Sequence, residues 1–282
     1  MVKIENLKFG YSRDRLLFND LSLSLRGGGI YGLLGRNGTG KTSLLKIMTG
    51  MRFPTSGNCI VLGEKPQKRL PSMLQEIIFV PEEIYVPDMS IATYQSVYAP
   101  FYPKFSDELF EKFIQEFDLK KADNLKSLSL GQKKQAVLSF AMATNAKLII
   151  LDEPTNGLDI PAKSQFRRIV ASLAVEDNCI IISTHQAQDI EKLIDTVIIL
   201  DGGDILLQST TEDICNKLSF EVASTTLPNT FYSEEKIGGT YCVSKNLSGE
   251  LSEFSLELFF NAVMANKQEM KNLFNTKTNG YE

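Results

Sequence analysis

The chain contains no tryptophan, one histidine (His185) and four cysteines in 282 residues. Cys59, Cys179, Cys215 and Cys242 are widely spaced and form no C-x-x-C pair, and His185 is the only histidine a zinc site would recruit, so the ligand spacing of a zinc set is missing. Neither a structural zinc site nor a disulfide framework is indicated; free thiols in a reducing cytosol are the expectation. A strong excess of charge of one sign is also missing. A net charge of -4 and a pI near 5.3 give no overall attraction for nucleic acid or anionic lipid, so no nucleic-acid partner is expected. Long apolar runs are missing too. A spanning helix needs about 20 mostly apolar residues, and stretches such as Leu148 to Leu151 or Val197 to Leu200 are far shorter. The opening MVKIENLKFGYS lacks the apolar segment of a signal peptide. Any membrane association is therefore expected to run through a partner.

What remains is globular in composition, with 43% hydrophobic and 23% charged residues, and long enough for one large or two modest domains. No internal repeat or low-complexity tract is present. Up to about residue 70, short runs (Val2 to Phe9, Leu21 to Leu25, Ile30 to Leu34, Cys59 to Leu62) separated by Gly- and Pro-containing turns predict strands. One helix interrupts them, beginning near Gly40 and ending before Pro54. From about 85 to 145 the pattern is helical, clearest at Glu108 to Phe117 and Gln132 to Asn145. Leu148 to Leu151 and Cys179 to Ser183 are continuous apolar runs, as in a parallel sheet covered on both faces, and a helix at about 161 to 175 joins them. The segment Val197 to Leu207 turns at Asp201-Gly202-Gly203. Beyond it, strands are expected near Phe220 to Val222 and Thr240 to Val243, then one helix from about Ser255 to Phe274.

Gly35-Arg36-Asn37-Gly38-Thr39-Gly40-Lys41-Thr42 fits G-x-x-x-x-G-K-[ST] between an apolar strand and a helix, the context this phosphate loop requires. Its glycines let backbone N–H groups turn onto phosphate oxygens, the helix N-terminus adds a positive dipole end, Lys41 a point charge and Thr42 a hydroxyl for Mg²⁺; Ser43 follows in the same turn. A phosphate loop alone means only nucleotide. Asp152 and Glu153 end an apolar strand at its C-terminal edge, where open α/β sheets place ligands. There Asp152 would hold Mg²⁺ through water and Glu153 would orient or deprotonate an attacking water. Leu128-Ser129-Leu130-Gly131-Gln132 opens a helix upstream of that strand. A serine hydroxyl and bare amides at a helix N-terminus suit an anion, and the same residues equally suit a plain N-cap.

With that pentapeptide the sequence resembles the ATP-binding subunits of ABC transporters, whose signature is Leu-Ser-Gly-Gly-Gln; here Leu130 replaces the first Gly. The resemblance runs from about residue 2 to 210. It implies that Tyr11 stacks on adenine, although an ordinary turn aromatic satisfies the same pattern. It further implies that Asn156-Gly157-Leu158-Asp159 is the D-loop along a dimer seam and that His185 contacts the γ-phosphate. Glu82, after Phe79-Val80-Pro81, stands where the family usually has Gln. A carboxylate there could join a Mg²⁺ and water network while adding negative charge beside the phosphates.

The implied fold is α/β, a P-loop NTPase of ABC type with a mixed-sheet core, an N-terminal antiparallel β subdomain and a helical subdomain. The ATPase domain would span 1–212, with the helical part inserted at about 85–145, and a small α+β extension would occupy 213–282. The implied activity is ATP hydrolysis with ATP and Mg²⁺. Two copies, or this chain and a paralogue, would close head to tail, with Lys41, Thr42, Asp152, Glu153 and His185 of one facing Ser129, Gly131 and Gln132 of the other. The implied partner is a separate integral membrane subunit, with this chain peripheral on the cytoplasmic face. The acidic residue at 82 and the short C-terminal part resemble bacterial exporters, and a regulatory or assembly ATPase is the alternative. Aromatics are dense between Phe79 and Phe117; Phe110, Phe113 and Phe117 suit a core, whereas Tyr94, Tyr98 and Tyr102 are expected to line a partner groove.

Overall fold

Val2, Ile4, Leu7 and Phe9 are buried while their neighbours face outward, which is the alternation of a strand with one covered face. In the computed structural model, which describes residues 1–12, 15–173, 178–224 and 230–275, they lie in β1 (Val2–Ser12), paired antiparallel to β2 (Arg15–Leu25). β3 (Ile30–Leu34) leads into α1 (Lys41–Met48), and β4 (Ser56–Val61) returns to the other edge of β1, giving a sheet of order β2-β1-β4.

α2 (Pro71–Leu74) and β5 (Ile77–Val80) then precede three helices, α3 (Ile91–Tyr98), α4 (Asp107–Glu116) and α5 (Leu130–Ala143). After them come β6 (Leu148–Asp152), α6 (Ile160–Ser172), β7 (Cys179–Thr184), α7 (Ala187–Ile190), β8 (Thr196–Asp201) and β9 (Asp204–Thr210). The expected helix at about 161 to 175 is α6; its last expected turn extends into 174–177, outside the described residues.

The central sheet has the order β5-β6-β7-β3-β8-β9, parallel except for the antiparallel β8–β9 pair. Its continuous apolar strands serve two cores. Ile149, Leu151, Ile180, Ile182, Val197 and Ile199 pack into the cluster shared with the helices. Leu148, Ile150, Cys179, Ile181, Ile198 and Leu200 pack into the one shared with α1 and the β1 sheet. Period-two geometry thus accounts for why every position is apolar. Burial also pushes the Cys59 and Cys179 thiols up to about 12, and all four cysteines are free.

The rest of the chain forms α8 (Thr211–Lys217), β10 (Leu218–Ala223), β11 (Thr230–Lys236), β12 (Gly239–Lys245), α9 (Leu256–Ala265) and α10 (Lys267–Asn275), with sheet order β10-β12-β11. The single helix expected from Ser255 to Phe274 is two, because Asn266 leaves the helical region at φ -129° and ψ 52°. Strand β11 and helices α2, α7 and α8 were not predicted, whereas α3 lies in the stretch expected to be helical at about 85–145. Tyr94 and Tyr102 also depart from the groove reading: their rings lie 5.1 and 6.0 Å from that of buried Phe140 and help close the helical core. Tyr98 keeps a 4.5 Å contact with Tyr94 but is exposed, beside exposed Val97 and Phe101. Among the described residues no helix is long and apolar enough to cross a membrane.

Candidate functional site

Strands β5, β6, β7 and β3 are neighbours and parallel, so their C-terminal ends deliver four loops to one edge of the sheet. β3 feeds the loop Gly35 to Gly40 and then α1. Gly40, with φ 107°, takes the left-handed N-cap position that a side chain would strain, and no side chain caps the helix. The contrast with six of the other helices is chemical; only the four-residue α2 and α7 also lack a side-chain cap among the α-helices whose caps are described. α3, α4, α5, α6, α8 and α9 each have a Ser, Thr or Asp N-cap whose oxygen accepts a main-chain N–H. The first turn of α1 has neither that cap nor an acidic residue, leaving its N–H groups to an external acceptor.

Lys41 is buried, with Nζ donating to Gly35 O at 2.7 Å and lying 3.9 Å from Glu153 Oε1. Burial draws its pKa down, opposed by the charges of Glu153, Asp152 and Glu82. An anionic ligand beside it would restore the charged form's advantage. Thr39 Oγ1 donates to Arg36 O at 2.8 Å, tightening the loop.

Asp152 closes β6 and is 1% exposed. It accepts from Thr42 Oγ1 at 2.6 Å and from Ser183 Oγ on β7. Glu153 has φ 47°, the left-handed region rarely taken by a non-glycine residue. Its N–H donates to Ser183 O at 3.1 Å, His185 Nδ1 lies 2.9 Å from its Oε1, and the His185 N–H donates to its Oε2 at 3.3 Å. The lone histidine is therefore tied to the carboxylate rather than to a core.

A cavity of about 600 Å³ gathers Tyr11, Arg36, Asn37, Gly38, Gly40, Lys41, Thr42, Ser43, Glu82, Asp152, Glu153 and His185. Gly35 and Thr39 shape the loop without lining it. Tyr11 is exposed, with its hydroxyl oxygen 2.8 Å from Ser43 Oγ and the Arg52 guanidinium 5.5 Å from its ring centroid. Glu82 Oε1 accepts from Asn156 Nδ2 at 3.0 Å, and Asn156 Oδ1 accepts from Gln186 Nε2 at 3.2 Å. Ser129, Gly131 and Gln132 are not in the lining. Ser129 Oγ accepts from the Gln132 N–H at 3.2 Å and Gln132 Oε1 from the Ser129 N–H at 3.1 Å, a reciprocal capping box at the start of α5. A Cβ on Gly131 would meet Gly157 O at 2.9 Å, so α5 approaches the Asn156 to Asp159 loop more closely than a side chain allows.

Arg15, Leu16 and Leu17 of β2 also line the cavity. Ser183 and Lys134 touch its carboxylate loop from behind. The sequence held a faint signal for both: a hydroxyl inside an apolar strand, and a lysine in register with apolar Leu138 and Ala141 on one helix face.

Among the described residues no three His, Cys, Asp or Glu side chains converge as a metal set. The oxygens of Thr42 and Asp152 beside a phosphate-ready helix end fit instead a hard cation that completes its shell with phosphate and water, as Mg²⁺ does.

A family profile described as "ABC transporter" matches residues 18–156. The ABC transporter ATP-binding protein YtrB of Bacillus subtilis (strain 168) is 30% identical over 209 residues, covering 73% of this chain and 70% of that protein. The lantibiotic transport ATP-binding protein SrtF of Streptococcus pyogenes is 31% identical over 214 residues, covering 74% and 90%. An ATP-binding cassette solved as a dimer in a post-hydrolysis state with ADP and phosphate superposes with a TM-score of 0.65 at 20% identity, over 74% of this chain and 98% of that one. That likeness is one of fold.

Proposed function

This chain belongs to the ABC transporter ATP-binding proteins, and from that premise we propose that it binds and hydrolyses ATP to drive a separate membrane-spanning subunit. One observation carries the reading: the uncapped N-terminus of α1 shares a cavity with Asp152, Glu153 and His185. Donors that hold phosphate thus face a group that can activate water.

The N–H groups of the first turn of α1 and the Lys41 ammonium bind the β- and γ-phosphates, while Tyr11 carries the adenine. Thr42 and Asp152 would hold Mg²⁺, which would supply positive charge against the phosphate oxygens. Glu153 orients a water toward the γ-phosphorus. As the new P–O bond forms, the bond to the departing ADP oxygen breaks and the water's proton passes toward the Glu153 carboxylate. His185 fixes that carboxylate through its 2.9 Å contact and faces the γ-phosphate. Glu82, hydrogen-bonded to Asn156, reports the site's state to the helical part that begins just beyond it.

Ser129, Gly131 and Gln132 lie outside the cavity of their own chain and complete that of a second copy or paralogue, closing the pair head to tail around two ATP molecules. ATP favours the closed pair and hydrolysis removes that preference. The exposed face at Val97, Tyr98 and Phe101 meets the membrane subunit, with this chain on the cytoplasmic side. Export is the direction we read, from the acidic residue at Glu82.

The test is to tag the protein in its host, solubilise membranes in mild detergent and identify what co-purifies with and without non-hydrolysable ATP. A multi-spanning protein in stoichiometric amount is expected; soluble partners only would move the reading to a regulatory ATPase. Glu153→Gln is expected to retain ATP affinity, lose turnover and accumulate a closed dimer by size-exclusion chromatography. Normal hydrolysis in that variant would refute the role given to Glu153.

A further inference from the structure

Lys134 lies on α5, two residues past the capping box, yet is only 3% exposed. Helical spacing places it on the inward face with Leu138 and Ala141, where an ammonium loses its hydration and must be repaid by bonds. It finds two. Nζ donates to the main-chain oxygens of Glu153 and Asn156, each at 2.9 Å. The charges of Glu82, Glu153 and Asp152 favour its ammonium form against a burial that draws its pKa down.

The turn that these bonds span opens on a strained residue. Glu153 sits at φ 47°, and such a backbone costs about 1–3 kcal/mol and persists only where its surroundings over-determine it. Its N–H is held from β7 by Ser183 O at 3.1 Å and Ser183 Oγ at 3.2 Å. Its carbonyl is held from the opposite side by Lys134 and by the Asn156 N–H at 3.3 Å. Ser183 and Lys134 therefore grip the same residue at its two ends, one from the sheet and one from the helical part.

We propose that Lys134 is a positioning residue for ATP hydrolysis: its ammonium, anchored on the helix that Ser129 caps, clamps the left-handed turn from Glu153 to Asn156 and so aims the Glu153 carboxylate. The clamp also joins, within one chain, the helix start offered to the partner's nucleotide and the carboxylate that acts on this chain's own. The inference rests on Glu153 as the group that orients water.

The test compares steady-state hydrolysis and binding of a fluorescent ATP analogue for the full chain, Lys134→Met and Lys134→Gln, with Glu153→Gln in parallel. Methionine fills the space without donating; glutamine keeps a donor without the charge. Lys134→Met is expected to lower kcat about tenfold or more while KM and analogue affinity stay near those of the parent, since small misplacements of a reacting group cost rate rather than binding. Lys134→Gln is expected to recover part of that loss. Parental turnover in Lys134→Met overturns the proposal. So does a joint loss of affinity and turnover in both variants, which makes Lys134 a folding group, and so does a glutamine variant as slow as the methionine one, which makes charge rather than the carbonyl clamp the cause. If Glu153→Gln hydrolyses ATP normally, the reading of Glu153 fails by itself, apart from anything Lys134 does.

Discussion

Tyr11 shows how much a single position can conceal. The residue is 65% exposed, yet it has its hydroxyl beside Ser43, its ring in a T-shaped contact with Phe9 at 5.2 Å and Arg52 over its face. These ties hold the ring at the cavity without burying it. A purine stacked there is worth about 1–3 kcal/mol by analogy with other base–aromatic contacts. Tyr11→Ala is therefore expected to weaken ATP binding by about tenfold or more in a fluorescence titration, and Tyr11→Phe to keep most of the affinity. Should Tyr11→Phe lose as much as Tyr11→Ala, the hydroxyl tie to Ser43 matters and the stack does not.

Two helix N-termini enter the proposed phosphate site differently. That of α1 is uncapped inside the cavity, whereas that of α5 is closed on itself by the Ser129–Gln132 box and lies outside it. Ser129 thus has a structural reason to be serine that is independent of nucleotide, and the two reasons can be separated. Ser129→Ala removes the cap oxygen and is expected to cost about 1 kcal/mol, seen as a lowered Tm. Ser129→Asp keeps an N-cap acceptor and a near-parental Tm, but sets a negative charge against the partner's γ-phosphate and abolishes turnover. An active Ser129→Asp variant would reduce the serine to a cap. Helix α9 makes a further link between elements. Glu257 accepts from Gln188 Nε2 and Glu191 accepts from the Leu256 N–H, each at 2.8 Å, so the C-terminal part holds α7, which begins two residues after His185.

At the scale of the molecule, one apolar cluster runs from Ile30 and Ile149 of the central sheet through Phe110 and Phe140 of the helical part to Phe259 and Val263 near the C-terminus. The boundary expected at residue 212 falls in the first turn of α8, and the burial continues across it. The cavity opens at the sheet edge with no group from α5's start in its lining, and in the proposed dimer another copy completes it. A mixing experiment tests this. Lys41→Ala and Ser129→Asp chains, each inactive alone, are expected to regain turnover when combined, because one of the two composite sites then has both halves intact. A mixture as inactive as its components would exclude sites built from two chains.

The phosphate loop, the acidic pair and the signature helix were legible in the sequence because each is a local pattern: its residues are neighbours in the chain, and the strand and helix around them follow from period and turn chemistry. The continuous apolar runs likewise declared a sheet covered on both faces. Glu153's left-handed backbone, the grip of Ser183 and Lys134 upon it, and Glu82's bond to Asn156 were not legible, since each joins residues far apart in the chain and depends on strand order. The same holds for β11, whose outward residues are polar, and for the break at Asn266, which apolar periodicity on both sides disguised. Sequence alone determined which chemical groups exist and the element that carries each. Only tertiary structure decided which of them touch, because contact is set by packing the layers together and not by position along the chain.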